Sequence, residues 1–113
     1  MEKQTAVTAL VALAHETRLE IFRLLVQAGS SGMPAGAISE QLGVPNATLS
    51  FHLQQLKHAE LVSAQRKSTQ IIYSADYAHM NGLIAYLTEN CCQGNAECCA
   101  TITPCTPESG CAQ

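Results

Sequence analysis

A chain of 113 residues, 47% apolar, has material for one compact domain and a tail, and at this size a second subunit can supply part of the buried surface. No apolar run approaches the roughly 18 residues that span a bilayer, and "MEKQTAVTALVALAHETRLEIF" lacks a small-residue cleavage site behind its short apolar stretch, so no membrane partner or export is expected and the chain is placed in the cytoplasm. The formal net charge of −3 is unevenly spread: residues 40–75 hold Lys57, Arg66 and Lys67 against Glu40 and Glu60, whereas residues 76–113 hold Asp76, Glu89, Glu97 and Glu108 and no Lys or Arg, which leaves the middle open to nucleic acid.

"TAVTALVALA" is apolar at Val7, Leu10, Val11 and Ala14, a helical spacing with few charges on the other side, so this helix calls for burial against a partner. "TRLEIFRLLVQAG" places Leu19, Phe22 and Val26 on one face, with Ile21 and Leu25 beside it, and Gly29 stops the helix. "SSGMP" reads as a loop. Pro34 opens a third helix, "PAGAISEQLG", where its missing N–H costs little, and Gly43 ends it.

In "VPNATLSFHLQQLKHAELV", Leu49, Leu53 and Leu56 recur at helical spacing and leave Asn46, Thr48, Ser50, His52, Gln54 and Gln55 largely on the other faces. A solvated helix normally carries Glu and Lys pairs. This one carries amides and hydroxyls, the groups that reach base edges and phosphates in a major groove. The tight turn at "LGVPN" joins it to the preceding helix as a helix-turn-helix. "LVSAQ" and "IIYSA" follow as β-prone runs around "RKST", a hairpin with Arg66 and Lys67 at its tip. The last helix starts at Asp76, a good N-cap, and carries Met80, Leu83, Ile84 and Leu87 as an apolar stripe up to the cysteines. The expected fold is mainly α with a β-hairpin wing, a winged helix-turn-helix in the order ααααββα over residues 1–90, followed by a cysteine-rich tail over 91–113.

"LAHETRLEIFRLL", "ISEQLGVPNATLSFHLQQLKHAELV" and "RKSTQIIYSA", in this order, resemble the ArsR/SmtB family of metal-sensing repressors over roughly residues 5–89. The most specific part is "TLSFHL", which is similar to the family's Thr-x-Ser-x-His-Leu pattern through Thr48, Ser50, His52 and Leu53. The resemblance implies a homodimer in which the first and last helices pair across a two-fold axis and the recognition helices enter successive major grooves of operator DNA. By that reading Asn46, Thr48, Ser50, His52 and Gln54 meet the bases, and Arg66 and Lys67 reach phosphates or the minor groove. The chain also departs from the family. Its third helix lacks the Cys-x-Cys pair of the original arsenic-responsive members, and Asp76 is followed by Tyr77 and Ala78 rather than by the Asp-x-His pair of zinc-responsive members, leaving His79 alone.

All six cysteines lie in "NCCQGNAECCATITPCTPESGC", residues 90–111, and such segregation points to chemistry rather than packing. In a reducing compartment a cluster of this kind suits a metal or redox site better than disulfides. Structural zinc prefers spaced Cys pairs. Here the pairs are adjacent, Cys91-Cys92 and Cys98-Cys99, with Cys105 and Cys111 single. Two adjacent thiolates and one across a short turn suit the three-sulfur pyramid of As(III) or Sb(III), so Cys91, Cys92 and Cys98 are the expected ligands. Cys99 is the rival third ligand, while Cys105 and Cys111 would close longer loops. The expected function is repression of operator DNA released by As(III) or Sb(III), with no organic cofactor. Zn(II), Cd(II) or Pb(II) sensing and thiol-oxidation sensing by the same fold are the alternatives. A thiol-dependent arsenate reductase is a different class, and it would need a cation beside the thiolates; no Lys or Arg follows Lys67, so an enzyme is not expected.

Overall fold

The computed structural model describes residues 1–89, which form α1 (Lys3–Leu13), α2 (Glu16–Ala28), β1 (Met33–Pro34), α3 (Ala35–Leu42), α4 (Asn46–His58), β2 (Val62–Lys67), β3 (Gln70–Ala75) and α5 (Tyr77–Leu87). All six cysteines and the boundary expected at residue 90 lie outside the described residues.

Helix α1 turns its alanines inward. Ala6, Ala9 and Ala12 are buried, whereas Val7, Leu10 and Val11 are 45%, 42% and 62% exposed. Small inward side chains let the helix lie close to its neighbours, and the larger apolar groups are left on the outside. In α2 the inner stripe is Ile21, Phe22 and Leu25 rather than the expected Leu19, Phe22 and Val26. Leu19 is instead exposed and, with Leu13, Val26, Leu83 and Ile84, lines an apolar groove of about 480 Å³ between α2 and α5. Both faces of α2 are apolar, and the core takes the one that meets α3 and α4. The helix starts at His15, whose Nδ1 accepts the Thr17 N–H at 3.1 Å.

The strand β1 was not expected from the sequence. Met33 and Pro34 pair antiparallel with Tyr73 and Ile72, which gives a three-stranded sheet in the order β1-β3-β2. Pro34 is tolerated because β1 is an edge strand, and it precedes α3 as its N-cap, with extended backbone, rather than serving as the first helical residue. Gly32 (φ +69) is required here, since a Cβ would collide with the Tyr73 carbonyl oxygen.

The α3–α4 turn is built on Gly43, which is left-handed (φ +67) and shares with Val44 the Ser39 carbonyl as acceptor, at 2.8 and 3.2 Å. Helix α4 ends in a Schellman motif: the Glu60 N–H donates to the Lys57 carbonyl at 2.9 Å and the Leu61 N–H to the Leu56 carbonyl at 3.0 Å, with Glu60 at φ +63. Strands β2 and β3 pair from Val62↔Ala75 to Lys67↔Gln70, so the hairpin turn is Ser68-Thr69 and the two cations are strand residues just behind it. Asp76 caps α5 as expected, accepting the His79 N–H at 3.0 Å. The Tyr77 hydroxyl ties that helix to α2 by donating to the Val26 carbonyl at 2.9 Å. Among the described residues, no helix is long and apolar enough to cross a membrane.

Candidate nucleic-acid interface

Helix α4 has one apolar side and one open side. Leu49, Leu53 and Leu56 are buried, and Asn46, Thr48, Ser50, Gln54 and Gln55 are exposed, as the sequence led us to expect. The open side therefore offers hydroxyl and amide groups in a row along an exposed helix, the shape and chemistry of a major-groove reader.

His52 is the exception, and its expected role needs correction. The spacing 49, 52, 53, 56 is one continuous helical stripe, so His52 falls on the buried side and is only 6% exposed. Its Nδ1 lies 3.3 Å from Arg18 Nη1. A guanidinium has only donors, so Nδ1 accepts and the ring proton of the neutral imidazole sits on Nε2. Arg18 Nε in turn donates to the Ala12 carbonyl at 2.7 Å, and the His15 ring lies 4.7 Å from that of His52. Burial, then the neighbouring His15, then Arg18 hold the His52 pKa below the ordinary imidazole value. The residue joins α4 to the α1–α2 corner and does not face outward.

Phe51, which sequence reasoning passed over, does face outward. It is 57% exposed, and the signal was available: it lies one turn from Ala47 and next to Ser50 and Gln54 on the open side.

On the wing, Arg66 and Lys67 are exposed and opposite Ile71 and Gln70. Adjacent strand residues point to opposite faces of the sheet. The two cations thus leave the wing from opposite faces of the sheet, so the pair expected together at the hairpin tip is divided between two faces. An open cleft of about 620 Å³ connects α4 to the wing, bordered by Ser50, Glu40, Thr69, Gln70 and Ile71. Of the expected site residues, Ser50 is thereby brought to the wing, Asn46, Thr48 and Gln54 lie along the helix, and His52 is withdrawn. Among the described residues no group of three or more His, Cys, Asp or Glu could hold a metal ion, and Cys91, Cys92, Cys98, Cys99, Cys105 and Cys111 lie outside them.

Known proteins with this arrangement regulate transcription. Residues 13–63 match the family model described as a helix-turn-helix domain. The arsenical resistance operon repressor of Bacillus subtilis is 34% identical over 92 residues, covering 78% of this chain and 84% of that protein. The chain belongs to the ArsR/SmtB family. An ArsR-like transcriptional regulator from Rhodococcus sp. RHA1 superposes with a TM-score of 0.70 at 26% identity, over 88% of this chain and 90% of that one. A homodimeric winged helix-turn-helix DNA-binding domain from Mycobacterium bovis superposes with a TM-score of 0.61 at 31% identity, over 77% and 81%. The fold is that of the winged helix-turn-helix members of this family, and the chain is a DNA-binding transcriptional repressor, not an enzyme.

Proposed function

We propose that the chain represses an arsenic-resistance operon in the cytoplasm, gripping operator DNA as a homodimer and letting go when As(III) or Sb(III) binds the thiolates of Cys91, Cys92 and Cys98, with Cys99 as the rival third ligand. Residues 1–90 form the DNA-binding and dimerising unit and residues 91–113 the sensor. Asn46, Thr48, Ser50 and Gln54 read the major groove, and Arg66 or Lys67 neutralises phosphate from the wing.

The observation that carries this reading is the outer face of α1 and α5. Val7, Leu10 and Val11 on α1 and Ile84 and Leu87 on α5 are all exposed aliphatics. Exposed aliphatics on two contacting helices suit an interaction surface, and a second copy of the chain would cover them. Cys91 follows Leu87 by four residues. Drawing two neighbouring thiolates and a third onto one ion at the end of a dimerising helix changes the spacing of the two reading helices, and the coupling free energy of such a device is typically about 1–3 kcal/mol. The Bacillus subtilis relative, named for arsenical resistance, supports the choice of inducer. Soft thiolates favour thiophilic ions over hard cations.

The test is a DNA-release titration of the reduced full-length protein with As(III), Sb(III), Zn(II) and Cd(II) in parallel. Release by As(III) and Sb(III) at the lowest concentrations is expected. Release by Zn(II) or Cd(II) alone replaces the inducer and keeps the repressor, whereas release only on oxidation makes the tail a redox sensor.

A further inference from the structure

Phe51 is out of place by the rules that built the rest of α4. The chain has two phenylalanines. Phe22 is 6% exposed in the core, whereas Phe51 leaves 57% of its surface in water on the polar side of the helix. Its one-turn neighbours on that side are Ala47 before it and Gln54 and Gln55 after it, and Ser50 stands beside it. Ala47 is too small to cover the ring, so an apolar disc projects from the middle of a hydroxyl-and-amide face. On α4 its ring meets that of His52 edge-on, centroids 5.6 Å apart, and still leaves most of its surface in water, while Leu49, Leu53 and Leu56 complete the packing below.

We propose that Phe51 is a specificity-determining residue that packs against the C5-methyl group of a thymine in the operator. The inference rests on the reading of α4 as the helix that enters the major groove. There, every polar base-edge group can be met by Ser50, Gln54 or Asn46, and the thymine methyl is the apolar group an aromatic ring can recognise. Insertion of the ring between base steps belongs to minor-groove binders that unstack DNA. A ring held on the side of a long helix, flanked by hydrogen-bonding side chains, is placed for contact with an edge. Removing apolar surface of ring and methyl from water together supplies the discrimination.

The probe is a duplex selected from a randomised pool by the reduced full-length protein, in which each thymine is replaced in turn by deoxyuridine. This swap removes the methyl and leaves the pairing and the O4 acceptor unchanged. Wild type should lose roughly four-fold in affinity at one thymine of a half-site, the worth of one methyl-sized group. Phe51→Ala, an exposed substitution, should bind the thymine and uracil duplexes equally. The proposal is overturned if the wild type tolerates uracil at every position, if Phe51→Ala keeps the same preference, or if the selected half-site contains no thymine. Ser50→Ala and Gln54→Ala on the parent duplex separate the two levels. Loss there without a uracil effect removes only the thymine contact, whereas no effect of either substitution takes α4 out of the groove altogether.

Discussion

Arg18 of α2 donates from Nη1 to His52 Nδ1 of α4 at 3.3 Å, and the same guanidinium holds the last turn of α1 through Nε and the Ala12 carbonyl at 2.7 Å. One side chain therefore connects α4 to α1, the helix with the exposed aliphatic face. Motion of α1 cannot leave α4 unaffected without breaking one of these bonds.

His52→Ala should lower stability by about 1–3 kcal/mol, because it opens a space and strands the Arg18 donor, and urea unfolding measures this. The pH dependence has a definite sign. With the folded-state pKa depressed, chiefly by burial and then by His15 and Arg18, the unfolded chain takes up the His52 proton first as pH falls. The contribution is therefore complete above the free-imidazole value of about 6.5 and is lost as pH drops below it. A pH series of urea midpoints from 8 down to about 5 should fall more steeply for wild type than for His52→Gln. Equal slopes would mean that His52 titrates normally and is not buried.

Ser50→Ala and Gln54→Ala should each weaken specific DNA binding by about 1–3 kcal/mol while leaving nonspecific affinity alone. Arg66→Ala and Lys67→Ala should differ from one another, since their side chains leave the wing on opposite faces. The one that faces DNA weakens binding to all sequences and lowers the salt slope by about 1. Electrophoretic shifts at several salt concentrations measure both, and identical slopes for the two wing variants would contradict the divided pair.

Glu60 occupies the left-handed position of the Schellman motif that ends α4, at φ +63. A residue with a Cβ is strained there, and a carboxylate is unfavourable at a helix C-terminus. Glu60→Gly should stabilise the protein by about 0.5–1 kcal/mol, the relief of strain exceeding the added chain entropy of glycine. The denaturant midpoint should rise with no change in slope, and a lower midpoint would mean that Glu60 makes a contact worth more than the strain.

Val11 and Leu87, 62% and 56% exposed, are the two most open aliphatics of the α1 and α5 face. Val11→Glu and Leu87→Glu should shift the protein from dimer to monomer in sedimentation and weaken operator binding at a given concentration, with circular dichroism unchanged because neither side chain supports its own protomer's core. A dimer that persists in both variants places the subunit contact elsewhere.

Cys91→Ser and Cys92→Ser should nearly abolish DNA release by As(III) and leave operator affinity at the wild-type value, because a hydroxyl is a hard, weakly acidic ligand and two remaining thiols hold a three-coordinate ion poorly. Fluorescence anisotropy of labelled operator reads both quantities. Cys98→Ser should match them if Cys98 is the third ligand, and Cys99→Ser should match if Cys99 is. Wild-type release in all four variants would exclude the trithiolate.

Local chemistry was legible in the chain by itself. Gly43 at a left-handed turn, Asp76 as an N-cap, the Leu49, Leu53 and Leu56 stripe and the paired β-prone runs each depend on residues a few positions apart, so the helix-turn-helix and the wing follow from backbone preference and short-range spacing. The tertiary structure decided which side of each helix faces in. Periodicity groups Leu19 with Phe22, and equally Ile21 with Leu25, but α2 is apolar on both sides, and only the placement of α3 and α4 selects Ile21 and Leu25 for the core. The same holds for α1, where close approach favours alanines inward over the larger Val7 and Val11. Spacing alone puts His52 on the Leu49, Leu53 and Leu56 stripe, but only the fold brings up Arg18, 34 residues away, as the donor for its buried Nδ1. The strand β1 formed because β3 had a free edge for Met33 and Pro34. Each outcome depends on contacts between residues far apart in the chain, and those contacts exist only once the elements have packed.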